Sequence, residues 1–178
     1  MKPIFLAAAV FASGVAHAAP PVNRSAEPPL TVTPIDINRY AGLWYEIARF
    51  ENGFEKNCAG VTARYAPRKD GKVDVLNTCR QDTPQGKVRT AKGVARIVDR
   101  ATNAKLKVSF FWPFEGDYWV LDRAADYAWA LVGEPGGRYL WILARSPKID
   151  AGLKADLVGR LKARGYNIEA LHWTAQHG

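Results

Sequence analysis

From Gly42 onward, apolar and polar residues alternate in short runs broken by turn residues, which is the period of strands rather than helices. Gly42–Phe50 is the first run. Residues 61–66 and 73–79 follow as a pair around Asp70-Gly71, a strong hairpin signal. The run 88–98 is interrupted by Gly93, which predicts a bend or bulge. Asn103 turns the chain into 106–112, Pro113 to Gly116 turn it into 118–121, and 127–132 and 139–144 form a last hairpin around Pro135-Gly136-Gly137. Eight regularly spaced strands with tight turns favour a closed up-and-down barrel or a sandwich. Residues 51–60, with Gly53 and Gly60, exceed a hairpin connection and make a candidate lid.

The period changes twice. Residues 35–40 can form one helical turn with Asp36 as cap. After Asp150, a second capping residue, Leu153, Leu157, Val158 and Leu161 share one helical face while Lys154, Asp156, Arg160 and Lys162 share the other, and Gly165 ends the pattern. A helix with a single apolar face has to pack on the outside of a barrel. A short strand at 168–174 completes the chain.

The N-terminal segment is of another kind. Lys2, the apolar run 4–12 and Ala16-His17-Ala18 read as an export signal over 1–18, too short to span a membrane. Residues 19–34 hold Pro20, Pro21, Pro28, Pro29 and Pro34 and read as an extended tether that wraps onto one domain over 35–178. No cysteine near the cleavage point offers a site for lipid, so a soluble periplasmic or secreted protein is expected. An oxidising compartment makes Cys58 and Cys79 a disulfide before a metal or catalytic pair, because a hairpin folded at Asp70-Gly71 brings them within about one diagonal step. Such a closure is worth roughly 3 kcal/mol in the chain-entropy model.

The formal charge of +8 would suit anionic surfaces, but Lys and Arg are spread along the chain without a basic run, so no nucleic-acid partner is expected. Transient contact with a membrane surface remains compatible with it. Catalysis has little to work with. His172 and His177 are the two histidines beyond the signal, no metal-ligand spacing occurs, and Gly-x-Ser-x-Gly is absent. Neither an enzyme nor a bound cofactor is expected.

Three local patterns then carry a resemblance. Gly42-Leu43-Trp44, Ala125-Asp126-Tyr127 and Arg145 at the end of Trp141-Ile142-Leu143-Ala144-Arg145 occur in the order of the three lipocalin motifs, with Ala125 in place of the usual Thr. The phrases around them are similar to bacterial lipocalins and to apolipoprotein D. The resemblance covers 35 to about 175 and implies an all-β, eight-stranded antiparallel up-and-down barrel with one C-terminal α-helix outside it. It implies that Trp44 points in at the closed end with Arg145 across its face, a cation–π contact of about 0.5–2 kcal/mol. Gly42, Trp44, Asp126, Tyr127 and Arg145 are then structural residues.

An eight-stranded barrel is filled by its own side chains or holds one small ligand. Matching the family's inward positions at period 2 predicts a cup lined by Phe50, Val75, Asn77, Val108, Phe110, Trp112, Tyr118, Tyr139 and Trp141. Glu46 and Ala48 share the predicted inner face of the first strand. For Arg64, parity leaves both faces open, with solvent preferred. The function implied is carriage of a small hydrophobic or amphiphilic ligand, such as a fatty acid or a lysophospholipid, in the cell envelope by a monomer or weak dimer. The rivals are a lipocalin-type enzyme acting on a lipid and a basic envelope-surface or partner-binding protein. Salt separates the last of these: electrostatic binding falls steeply with ionic strength, and cavity binding of a lipid tail changes little.

Overall fold

Each alternating run becomes a strand, and each of the first eight strands pairs antiparallel with its neighbour in sequence. The computed structural model describes residues 21–26 and 30–176, and the expected export signal lies outside the described residues. The strands are β1 (Gly42–Phe50), β2 (Cys58–Pro67), β3 (Lys72–Gln81), β4 (Val88–Ile97), β5 (Lys105–Phe111), β6 (Phe114–Arg123), β7 (Trp129–Gly133), β8 (Leu140–Ala144) and β9 (Leu171–Trp173). β1 pairs with β2 on one side and β8 on the other, so the first eight close into a barrel with no free edge, and β9 adds to the far part of β1.

The closed end is plugged by a short stack. Helix α1 (Ile37–Tyr40) is capped by Asp36, whose carboxylate accepts the Asn38 N–H at 2.8 Å. It delivers Tyr40 against Trp44, 5.0 Å between ring centroids, and the Tyr40 carbonyl accepts the indole N–H at 2.8 Å. The Arg145 guanidinium lies 3.8 Å from the Trp44 ring centroid and donates to the carbonyls of Leu43, Arg39, Tyr40 and Ala41. Gly42 is required here: its φ of +95° is a left-handed-side conformation, and a Cβ would sit 3.4 Å from an Arg145 guanidinium nitrogen. Asp126 closes its own turn by accepting the Ala128 N–H. Tyr127 lies between the guanidinium groups of Arg39 and Arg123, with its hydroxyl accepting the Asp36 N–H.

Two apolar clusters lie on opposite sides of the barrel wall. The inner floor holds Trp44, Tyr65, Val73, Val75, Leu106, Val120 and Leu143. The outer face of β6, β7, β8 and the second half of β1 is covered by helix α2 (Ala151–Ala163), whose Leu157 and Leu161 are fully buried against Leu131, Leu140 and Ile142. Asp150 caps this helix by accepting the Leu153 N–H, and Arg160 and Arg164 both reach Asp122 on β6. The N-terminal segment does wrap onto the domain. Asn23 and Ser25 donate backbone N–H groups to Gly137 and Gly165, and Thr33 donates to Val120.

Two local features differ from expectation. Gly93 makes no bulge; β4 runs straight through it, paired with Val75. A Cβ there would lie 2.8 Å from the Ser109 carbonyl oxygen and 2.9 Å from the Phe110 ring, so the glycine makes room for the ring that crosses it. Register breaks fall elsewhere, among them one in β1 between Glu46 and Ala48. The disulfide forms between Cys58 and Cys79, with Cα atoms 5.3 Å apart, and Arg64 lies exposed on the outer face.

Because Trp44 is fully buried with its N–H satisfied, Trp44→Ala is expected to lower unfolding stability by about 3–5 kcal/mol, read by thermal or urea unfolding, while ligand affinity of the remaining folded protein is unchanged.

Candidate ligand-binding site

Above the plugged floor the barrel opens into a cavity of about 980 Å³, at the upper end of the range for small-molecule sites. Seven of the expected residues face it: Val75, Asn77, Val108, Phe110, Tyr118, Tyr139 and Trp141. At its base the hydroxyl of Tyr118 sits between those of Tyr40 and Tyr65, 2.7 and 2.9 Å away, and burial pushes all three phenols up in pKa, so they stay neutral donors and acceptors. Higher up, Tyr139 and Trp141 stack at 5.9 Å with nearly parallel rings, and Phe54 from the β1–β2 loop packs against both.

Two expected lining residues are elsewhere. Phe50 is fully buried on the outer side, against Tyr166 under the helix. The bulge between Glu46 and Ala48 inverts the alternation of β1, so residues that period 2 places inside go outside beyond it. The same shift puts Ala48 in the outer cluster and turns Arg49 inward of it. Trp112 is 85% exposed, because Trp112-Pro113 is the two-residue turn joining β5 to β6. It forms, with Phe111 at 79% and Phe114 at 78%, an aromatic tip standing out from the cavity rim.

Residues 35–176 match the family model described as the lipocalin-like domain. The chain is a lipocalin. The outer membrane lipoprotein Blc of Escherichia coli K12 is 39% identical over 157 residues, covering 86% of this chain and 88% of that protein. Blc of Vibrio cholerae is also 39% identical, over 82% of this chain and 85% of its own length. Mouse apolipoprotein D is 34% identical over 79% and 77%. Among solved structures, insecticyanin from the tobacco hornworm Manduca sexta superposes with a TM-score of 0.67 at 19% identity, covering 90% of this chain and 87% of that one, and shares the fold. Apocrustacyanin C1 does so with a TM-score of 0.63 at 16% identity, covering 79% of each chain.

This lipocalin carries a polar cluster in its cavity wall that strand parity alone does not reveal. Glu46 lines the cavity and is 2% exposed. It accepts from Arg49 at 2.8 Å and from the Thr174 hydroxyl. Arg49 is itself 1% exposed and reaches the Glu55 carbonyl at 3.2 Å and the Glu55 carboxylate at 4.0 Å. Glu55 also lines the cavity, where its carboxylate accepts the Trp141 indole N–H at 3.1 Å and an Asn52 amide N–H at 2.5 Å. These contacts pin the 51–57 loop at Glu55, and Phe54, 60% exposed, is its projecting residue. The signal for the cluster was a Glu and an Arg three residues apart in an otherwise apolar strand.

Burial raises the Glu46 pKa, the neighbouring Glu55 carboxylate raises it further, and Arg49 and Thr174 offset part of this, leaving it at about 8. The folded protein therefore holds a proton that an unfolded chain releases near the ordinary value of 4.5. With more protons bound in the native state, stability is greatest below that value and falls as pH rises towards about 8. Glu46→Gln is expected to flatten this fall, measured as the melting temperature across the acid-to-neutral range; an unchanged slope would show that Glu46 is not its source.

Proposed function

We propose that the protein is a non-catalytic carrier that holds one single-tailed amphiphile in the barrel, with fatty acids and lysophospholipids as the cargo classes. The observation that carries this reading is the cavity itself: about 980 Å³, apolar through its depth, and polar at the Tyr118 hydroxyl cluster and beside Glu55. An apolar tail gains roughly 25 cal/mol for each Å² removed from water, and preformed walls avoid the cost of ordering the site on binding. The names of the Blc relatives place those proteins in the outer membrane as lipoproteins. For this chain we infer export through the 1–18 signal and a shuttle between envelope surfaces rather than a fixed anchor. Among the described residues no helix is long and apolar enough to cross a membrane.

The exposed tip supports transient membrane contact as the route of exchange. Three large aromatics at the rim would partition into a lipid interface, where amphipathic rings are favoured, and would set the cavity mouth against the source of cargo.

Trp141→Ala is expected to weaken binding of a fluorescent lipid probe about tenfold with the fold retained by circular dichroism, since it removes a wall of the cavity. Unchanged affinity would remove the site assignment. Trp112→Ala is expected to leave affinity for dissolved probe unchanged and to slow transfer from phosphatidylcholine vesicles; equal transfer rates would exclude the tip as the contact.

A further inference from the structure

The charges on the cavity wall are unevenly balanced. Among the described residues, five carboxylates line it, those of Glu46, Glu55, Glu115, Asp117 and Glu134, against one guanidinium, that of Arg89. Three of the five are satisfied locally. Glu115 is held at both oxygens by Arg96, Asp117 by Lys107, and Glu134 accepts backbone N–H groups from Gly136, Arg138 and Tyr139. Glu46 and Glu55 share a single buried guanidinium, that of Arg49, which lies 2.8 Å from Glu46 and no nearer than 4.0 Å to the Glu55 carboxylate. Once Glu46 ionises, towards about pH 8, the pair is one positive charge short.

The surroundings of Glu55 state what that charge would be. Its carboxylate lies at the edge of Trp141, and Trp141, Tyr139 and Phe54 present an aromatic wall around it at the mouth. Ring faces and an adjacent carboxylate together attract an organic cation, which loses little hydration on entering. An anionic head beside Glu55 would meet like charge. Resting on the carrier reading above, we propose that the mouth of the cavity is an ammonium subsite, formed by Glu55, Phe54, Tyr139 and Trp141, and that the protein prefers amphiphiles with a cationic ammonium head to free fatty acids of equal chain length. The tail lies along the apolar side chains of the barrel, and the ammonium faces the Glu55 carboxylate at the aromatic wall.

Glu46 makes the subsite pH-dependent. The groups facing it are Arg49, Glu55, Thr174 and Tyr65, and as it ionises towards about pH 8 the wall becomes more negative. A permanently charged head should therefore bind more tightly as pH rises through that value.

The experiment compares dodecyltrimethylammonium with dodecanoate by calorimetry, both below their micelle concentrations, on the full exported chain. The expected result is binding about tenfold or more tighter for the ammonium, a ratio that grows as pH rises through about 8. Glu55→Gln, which retains the acceptor towards Trp141, should bring the ratio close to one. Phe54→Ala, at an exposed position outside the core, should lower it without changing the melting temperature. Equal affinities for the two heads, or tighter dodecanoate, which would put the head at Arg89, overturns the subsite while leaving the carrier intact. Binding of neither overturns the carrier reading and this one with it.

Discussion

Strand β1 has to serve two surfaces, and the rest of the architecture follows from how it does so. Its first half closes the barrel against β2 and fills the floor with Trp44; its second half pairs with β8 and β9 and lies under helix α2. No unbroken alternation can send large apolar groups first inward and then outward. The bulge between Glu46 and Ala48 resolves this by inverting the strand's faces, so that Ile47, Ala48 and Phe50 seal the helix interface. The consequence on the other side is chemical. Arg49 turns inward beside Glu46, and a guanidinium and a carboxyl group are buried together in the cavity wall.

Buried charge of this kind is costly unless each group is paired and hydrogen-bonded. Here the cost is met by convergence from distant parts of the chain: Thr174, beyond β9, bonds to Glu46 and Arg49, and Glu55 closes over Arg49 from the β1–β2 loop. Gln176 reaches back to the carbonyls of Glu46 and Val61 and ties the same region to β2. The polar cluster therefore fastens the C-terminal segment and the mouth loop to one point of the barrel wall. Rigidity at that point and the electrostatic character of the cavity have a common origin.

The closed end is organised by a different balance. Arg145 meets the π face of Trp44 and donates to four backbone carbonyls where α1 passes into β1, so a single side chain ties the turn together and covers the floor. The plug closes this end, and the cavity opens at the opposite rim, where the Phe111-Trp112-Pro113-Phe114 turn lies.

Local chemistry was enough to read much of this from the chain. Asp70-Gly71 announces its hairpin, Asp36 and Asp150 cap their helices, and the family's inward positions at period 2 match Val75, Val108, Phe110, Tyr118, Tyr139 and Trp141, which face the cavity. The paired cysteines follow from the hairpin they flank. What escaped depends on contacts between distant segments. Phe50 alternates as an inward residue and is turned outward by a bulge that only the joint demands of β8, β9 and the helix impose. Trp112 continues the alternation of β5, yet it falls in the tight turn that pairs Phe111 with Phe114. Gly93 reads as a bend and is instead the space that Phe110 needs. By itself the sequence determined the strands and the caps, set by neighbours within a turn or a hairpin, and through its resemblance to a family the plug and most of the cup; the faces of β1, the aromatic rim and the Glu46–Arg49–Glu55 cluster were decided by the closed barrel, because closure alone brings residues 46, 49, 55, 141 and 174 to one place.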